Sequence, residues 1–448
     1  MGNLIRHLRR ERGQMLIVSA LLTTALLGFI GLIADLGLFY AERRHVQGAA
    51  DQAATAAALE LLYGGGTSAA RTAALQNAAG NGFANSGSNT VTVNVPPTSG
   101  AHAGDPAYVE VVVTEQPPTF FAHVLVSDGG SVQARGVAGI TDDDEDYALL
   151  LLNQSECRSL DVSGSGALIV NNGGIMVDSN CPSEAFRKTG SSAVIADVID
   201  VVGGYNGPLS SCPVADPTDP PNDIVCPHPR TGRPAVADPL AGLAPPDLNA
   251  LGMSPDSGGT PANPQKKHIS NGDYTFHPGV YYGGIQLSTN GDITFEPGYY
   301  VMAGGGLDIS SSGTIYANGV MFYNTYDPQS PNSSDGRCEE MHVSGSTDTG
   351  STITGPASGP YKDIVFWQAA NCVDNNGRGL RLHHSGSGNL LTSGVVYMPT
   401  GWMHITGSGA TGALQIIVDH VDKSGSSDVI IDYVNYVDAP IPIAALVE

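Results

Sequence analysis

Asp161, Ser163 and Ser165 place one carboxylate and two hydroxyls at alternate positions of the chain. Such oxygen atoms are ligands for hard divalent cations, provided that the backbone brings them to one point. The sequence that follows, GALIVNNGGIMV, is strand-like and rich in glycine. This pattern predicts a turn between strands rather than a metal site, and we expect no cofactor.

The rest of the chain offers only weak matches to metal-binding and catalytic motifs. His383 and His384 are adjacent, so on a strand they point to opposite faces and rarely bind one ion. The patterns G-x-S-x-G, H-E-x-x-H and the phosphate-binding loop do not occur. Asp273 and Asp292 recur at equivalent positions of a repeat, which is typical of turn capping. We predict that the protein is not an enzyme, with a β-helical enzyme acting on glycans as the alternative.

The six cysteines are even in number and lie in the part of the chain that we expect outside the cytoplasm, which favours disulfides. No C-x-x-C pattern occurs, so structural zinc is not expected. The sequence leaves the pairing open. We favour pairs within one segment, namely Cys157 with Cys181, Cys212 with Cys226, and Cys338 with Cys372.

The charge is distributed unevenly along the 448 residues. The net charge of −23 would repel phosphate backbones and argues against nucleic-acid binding. Four arginines, Arg6, Arg9, Arg10 and Arg12, lie before Met15–Ala34, an uncharged apolar run of 20 residues. A helix of that length spans about 30 Å, the thickness of a bilayer core. We predict a single-pass membrane protein with residues 1–14 as a cytoplasmic tail, a helix at 15–40, and an extracytoplasmic body. A cleaved signal peptide is the alternative, but its apolar region would be shorter, and Leu32, Ile33 and Ala34 fit a cleavage site poorly.

The helical pattern continues past the apolar run. Asp35 lies just beyond it, and we expect it at the membrane interface. Ala49, Ala53 and Ala57 recur every fourth residue, a spacing that lets helix backbones approach closely. We expect this ladder either to mediate helix assembly or to reflect simple helix propensity.

The stretch from Arg9 to Leu62 resembles the N-terminal segment of TadE/TadG-like proteins, which are associated with assembly of Tad (Flp) pili. The matching features are, in order, the basic RRERGQ, the apolar span, the sequence ADLG at 34–37, and Gln47, Ala50 and Asp51 before an Ala-rich helix. Tad pseudopilins are cut after a glycine and carry glutamate at the fifth position beyond the cut. After Gly13 that position is Val18, so the chain looks more like the long TadG-type member.

The resemblance implies a small extracytoplasmic α+β module at 41–140. An acidic run, TDDDED, follows and predicts a linker at 141–147. The Asp-x-Ser-x-Ser spacing is similar to the metal-ion motif of von Willebrand factor A domains, which some TadG-type proteins carry. In those domains a long amphipathic helix follows the motif, and here it does not.

Residues 148–448 read as a mainly-β domain. The pattern GDYTFHPG at 272–279 recurs as GDITFEPG at 291–298, and short alternating runs separate glycine-rich corners. A period near twenty indicates repeated supersecondary units. We predict a parallel β-solenoid, interrupted by a Pro-rich excursion at 208–264, with an antiparallel β-sandwich as the alternative architecture.

These features together predict a membrane-anchored structural or accessory component of a Tad-type pilus or secretion apparatus. Its expected partners are the lipid bilayer, pilus-assembly subunits or further copies of itself, and a glycan or other surface ligand. A metal-dependent surface adhesion module or a surface-layer component would also fit this pattern of an anchor and an exported β-domain.

Overall fold

The computed structural model describes residues 2–85, 87, 89–117, 130–143, 146–208, 228–329, 336–344, 350–374, 377–385, 391–406, 414–434, 436–439 and 441–448. The chain forms two compact units. The first comprises residues 1–142 and 442–448, and the second comprises residues 143–441. The strands are numbered β1–β29 and the helices α1–α3 along the chain.

The described residues of the first unit form two helices and four strands. Helix α1 (Gly2–Leu62) runs without a break through the predicted basic tail, the apolar segment and the Ala-rich segment. Helix α2 (Gly66–Gly80) follows and ends at Asn81. The strands are β1 (Asn89–Asn94), β2 (Tyr108–Glu115), β3 (Val132–Asp143) and β29 (Ile441–Leu446).

The last strand of the chain completes the sheet of this unit, whose order is β1-β2-β3-β29. The Val137 amide donates to the Glu448 carbonyl, and the Val447 amide donates to the Val137 carbonyl, both at 2.8 Å. Residues 442–448 therefore belong to the first unit, although from the sequence we expected them in the β-domain. In chain order, the second unit is an insertion between β3 and β29.

Part of the expected acidic linker at 141–147 belongs to a strand rather than to a connection between strands. Strand β3 continues through Thr141 to Asp143, and the next strand begins at Tyr147. Residues 144–145 lie outside the described part of the chain.

In the second unit, the described residues form strands and one helical turn, α3 (Leu248–Leu251). The strands before α3 are β4 (Tyr147–Leu151), β5 (Leu160–Val162), β6 (Leu168–Asn171), β7 (Gly174–Val177), β8 (Phe186–Lys188), β9 (Val194–Ile195), β10 (Ile199–Val201), β11 (Tyr205–Asn206) and β12 (Arg230–Thr231). Those after it begin with β13 (Lys267–Ile269), β14 (Tyr274–Phe276), β15 (Gly279–Tyr282), β16 (Ile285–Leu287), β17 (Ile293–Phe295), β18 (Gly298–Ala303), β19 (Leu307–Ser310) and β20 (Ile315–Ala317). The remaining strands are β21 (Val320–Thr325), β22 (Met341–Ser344), β23 (Thr352–Thr354), β24 (Ile364–Gln368), β25 (Arg381–Ser385), β26 (Leu391–Ile405), β27 (Leu414–Lys423) and β28 (Val429–Asp432).

These strands pair in parallel, and from β13 to β23 each pairs with the strand three places along the chain. The first stack runs β15-β18-β21-β24-β26-β27-β4-β7-β10-β12, and the second runs β13-β16-β19-β22-β25-β26-β27-β5-β8-β11. The third contains β14-β17-β20-β23-β26 and, separately, β28-β6-β9. The large parallel sheet contradicts the antiparallel sandwich, which was the second architecture compatible with the sequence.

The order of the first stack is not the order of the chain. The chain enters at β4 in the middle, advances to β12 at one end, and resumes at β15 at the other end. It then winds back until β27 pairs with β4, where Ile417 lies opposite Leu150. The segment between β12 and β15 must therefore connect the two ends of the stack.

The described part of the Pro-rich segment, 228–264, follows the first stack. The Val236 amide donates to Asp178 at 3.0 Å, the Tyr397 hydroxyl donates to Asp238 at 2.8 Å, and the Tyr361 hydroxyl donates to the Ala244 carbonyl at 3.1 Å. Further along, Met253 bridges to Val280. These contacts follow the order of the stack from its β7 side to β15.

This segment explains why the first-stack strands are apolar on both faces. The inward residues join the main core, whereas a second column points outward and is also buried, with at most 5% exposure. Parallel strands covered on both faces read as continuous apolar runs, such as YALLL. The outward column comprises Val280, Val301, Tyr323, Trp367, Tyr397, Ile417, Leu150 and Met176.

Candidate functional site

Helix α1 presents apolar side chains to its surroundings at its N-terminal end. From Met15 onward, the most apolar stretch of 18 residues in the helix has a mean hydropathy of 2.4, and 6% of that stretch is buried. The helix is long and apolar enough to cross a membrane. The hydroxyls of Ser19, Thr23 and Thr24 donate to carbonyls four residues earlier, at 2.7–2.9 Å. No hydroxyl of these three needs water, which suits a hydrocarbon environment.

Asp35 lies at the end of this exposed apolar surface. Only 7% of its surface is exposed, whereas the neighbouring Ile33 and Leu36 are 68% and 55% exposed. At about 1.5 Å per residue it lies roughly 30 Å from Met15 along the helix. Its position at a membrane interface stays a prediction.

The alanine ladder packs within the first unit. Ala49, Ala53 and Ala57 are at most 2% exposed. They share a core with Ala70 and Ala74 of α2 and with the apolar side chains of β1 and β2. The small residues therefore allow a close approach, but the elements they contact belong to the same chain. These three alanines present no free surface for assembly, because the chain itself covers them.

Gly136 of β3 marks a second close approach to α1. A Cβ atom at this position would lie 2.8 Å from the carbonyl carbon and oxygen of Ala50, which are backbone atoms and cannot rotate away. Beside it, Gln47 Nε2 donates to the Arg135 carbonyl at 2.9 Å and to Asp51 Oδ1 at 2.7 Å. These contacts fix α1, and hence the direction of the apolar segment, on the sheet of the first unit.

A buried ion pair ties the C-terminal strand to this sheet. Glu110 is 1% exposed, and its carboxylate accepts a 2.6 Å bond from Arg135 Nε. Arg135 also pairs with Glu448 beyond β29. Burial alone would raise the pKa of Glu110, but hydrogen bonds from Arg135, Thr98 and Asn94 lower it to about 2. The arginine thus holds together β2, β3 and the end of the chain.

The three residues of the Asp-x-Ser-x-Ser motif have other partners. Asp161 lies on β5, where both carboxylate oxygens accept hydrogen bonds from Arg187 of β8. The Ser163 hydroxyl donates to the Lys423 carbonyl at 3.4 Å, and the Ser165 amide donates to the Gly425 carbonyl at 3.1 Å. The motif therefore spans a strand and the corner that follows it.

Two of the three favoured cysteine pairs are bonded. Cys157 is joined to Cys181 and Cys338 to Cys372, with Cα atoms 5.2 and 5.5 Å apart. Each bond links corners of neighbouring repeats. Cys212 and Cys226 lie outside the described residues.

The outward face of the second stack carries a column of stacked imidazoles. The rings of His342, His383 and His404 come from β22, β25 and β26, with centroids 4.8 and 4.9 Å apart. Each ring lies within 3.4 Å of a hydroxyl one strand further along: Ser385, Thr406 and Ser424. Burial and the neighbouring imidazoles lower the pKa of His383 to about 4. The histidines are separated by unequal loops, so no sequence periodicity reveals the column.

A groove of about 650 Å³ opens beside this column, lined in part by Asp308, His342 and Tyr326. Lys266 pairs with Glu339 at 2.8 Å on its wall, and Arg381 pairs with Glu340 at 2.7 Å. The groove is lined by charges of both signs, because Lys266 and Arg337 are basic and Asp308, Glu339, Glu340 and Asp374 are acidic. The predicted glycan or surface ligand stays a prediction.

The fold and the exposed helix together define a membrane-anchored protein with a large parallel-sheet domain. Residues 13–60 match a family model described as Flp pilus-assembly TadE/G-like. The N-terminal region is thus a TadE/G-like segment, as the resemblance predicted. Searches of curated proteins and of solved structures each found no significant match.

Proposed function

We propose that the protein is an accessory or structural component of a Tad-type pilus or secretion apparatus. The match of residues 13–60 supports this role, and the lipid-compatible helix that begins at Met15 lies within it. In this proposal residues 1–14 stay in the cytoplasm, residues 15–40 cross the membrane, and residues 41–448 lie outside. The arginines before Met15 support that orientation.

We further propose that the second unit is a parallel β-solenoid that supplies reach or surface contact. Support comes from the three stacks of parallel strands and from the in-register recurrence of Phe276 opposite Phe295. Disulfides at its corners suit an oxidising compartment. Its role is non-enzymatic and is served by a rigid scaffold.

Crosslinking in intact membranes followed by affinity capture tests the pilus association. We expect pilus-machinery subunits to be captured with the wild-type chain. A matched variant replaces residues 15–36 with an unrelated single-span helix, so that anchoring is kept while the apolar part of the TadE/G-like segment is lost. Capture should fall in that variant. Capture of no machinery subunits by the wild-type chain would contradict the proposal, whereas equal capture by both chains would show that residues 15–36 are not the part that mediates the association.

A further inference from the structure

Three metal-ligating side chains meet at one corner of the second unit. Glu156 follows β4, and Asp419 and His420 lie on β27, which pairs with β4 and β5. Although adjacent, Asp419 and His420 do not point to opposite faces, because the register of β27 with β26 shifts between Val418 and His420 and leaves Asp419 Oδ2 2.9 Å from His420 Nδ1. One ligand atom from each lies within 4.8 Å of the other two. Among the described residues, no other three His, Cys, Asp or Glu side chains form such a group. The site is thus made by the first and last repeats of the chain, which meet in the middle of the stack.

Contacts to other residues hold the side chains of Asp419 and His420 and the backbone of Glu156. Asn153 Nδ2 donates to both carboxylate oxygens of Asp419, at 3.1 and 2.9 Å. The His420 ring stacks on Trp402, with centroids 5.0 Å apart and planes 11° from parallel. The Glu156 amide donates to Asn153 Oδ1 at 2.7 Å, and its carbonyl accepts from the hydroxyls of Ser159 and Ser179.

The donor set indicates the class of ligand. One imidazole nitrogen and two carboxylates suit a borderline divalent cation such as Zn²⁺, whereas Ca²⁺ and Mg²⁺ prefer oxygen ligands alone. The Asp419 and His420 side chains are 19% and 25% exposed, and Glu156 is exposed, so an ion can reach the corner from solvent. We propose that Glu156, Asp419 and His420 bind a divalent transition-metal ion that links the first and last repeats. This inference does not depend on the pilus association.

Calorimetric titration of the chelator-treated, detergent-solubilised full chain with ZnCl₂ at pH 7.5 tests the site. We expect saturable binding that persists in excess Mg²⁺. Glu156→Gln is the main variant, because its side chain is exposed and the change preserves size. It should weaken binding about tenfold or more, as should His420→Ala. The control is His383→Ala, which removes a stacked imidazole outside the corner and should leave the affinity unchanged.

Trp402 offers a second readout, because it is one of two tryptophans and contacts His420 directly. Ni²⁺ should quench part of the fluorescence in the wild type, and this quenching should disappear in Glu156→Gln and in Trp402→Phe. No saturable Zn²⁺ binding, or equal affinity in the wild type and the Glu156→Gln and His420→Ala variants, would overturn the proposal.

Discussion

Replacing Arg135 with methionine should destabilise the sheet of the first unit by about 3–5 kcal/mol, because it leaves the buried charge of Glu110 without its partner. Burial of an unpaired carboxylate should also raise its pKa. Amide hydrogen exchange of residues 108–115 in the full chain measures the effect, because protection there reports opening of β2. In Arg135→Met, the amides of residues 108–115 should exchange faster than in the wild type, in line with this loss of stability.

Two controls separate this effect from a general loss of surface charge. The double variant Glu110→Gln with Arg135→Met removes both charges and should recover much of the lost stability. Arg158→Met breaks an exposed ion pair with Glu184, which should cost less than about 1 kcal/mol. Unchanged exchange in the Arg135→Met chain would show that the buried pair does not stabilise the sheet.

The second unit should lose stability as the pH falls from about 6.5 to about 4. His384 faces inward from β25, and its in-register neighbours Val343 and Ile405 are buried. Burial, together with the adjacent His383 and nearby His342, lowers the pKa of His384 to about 4. The unfolded chain, with an ordinary pKa near 6.5, then binds more protons than the folded chain throughout this window. At pH 5 this one group should cost about 2 kcal/mol relative to pH 7.5.

Urea unfolding at pH 7.5 and pH 5, followed by tryptophan fluorescence, measures this dependence, because both tryptophans, Trp367 and Trp402, lie in the second unit. The free energy of unfolding should differ less between pH 7.5 and pH 5 in His384→Leu than in the wild type. The reduction should be about the 2 kcal/mol that His384 contributes. His268→Leu removes an exposed imidazole from the same stack and leaves His384 in place, so most of the pH dependence should remain. The same pH dependence in His384→Leu as in the wild type would contradict the assignment.

Local sequence patterns predicted the features that depend on nearby residues. The apolar run from Met15 has the length and composition of a helix that can cross a membrane, and the structure leaves it exposed. The repeated GDYTFHPG and GDITFEPG place Phe276 over Phe295, with stacked rings 4.8 Å apart. A repeat brings equivalent residues into register wherever the connecting corners have equal length, so the periodicity alone predicted stacking.

Features that join distant segments could not be predicted in this way. The edge of β3 accepts a strand from the far end of the chain, and nothing in the sequence of Ile441–Leu446 specifies that partner. The sequence also does not show that the chain enters the stack in its middle, because β4 and β27 both have the composition of ordinary apolar strands. The corner of Glu156, Asp419 and His420 depends on this pairing, so the sequence offered no signal for it. For the alanines the spacing predicted close packing but could not show that α2 is the partner.

The central claim is that the helix beginning at Met15 spans the membrane and places the second unit on the far side from the basic tail. Labelling with a membrane-impermeant maleimide in spheroplasts tests it most directly. Tyr316→Cys puts a thiol on a side chain that is 44% exposed in the second unit, and Gly2→Cys puts one in the tail. We expect the thiol at 316 to react in intact spheroplasts and the thiol at 2 to react only after lysis. Labelling of both positions only after lysis, or recovery of the chain in the soluble fraction, would contradict the account.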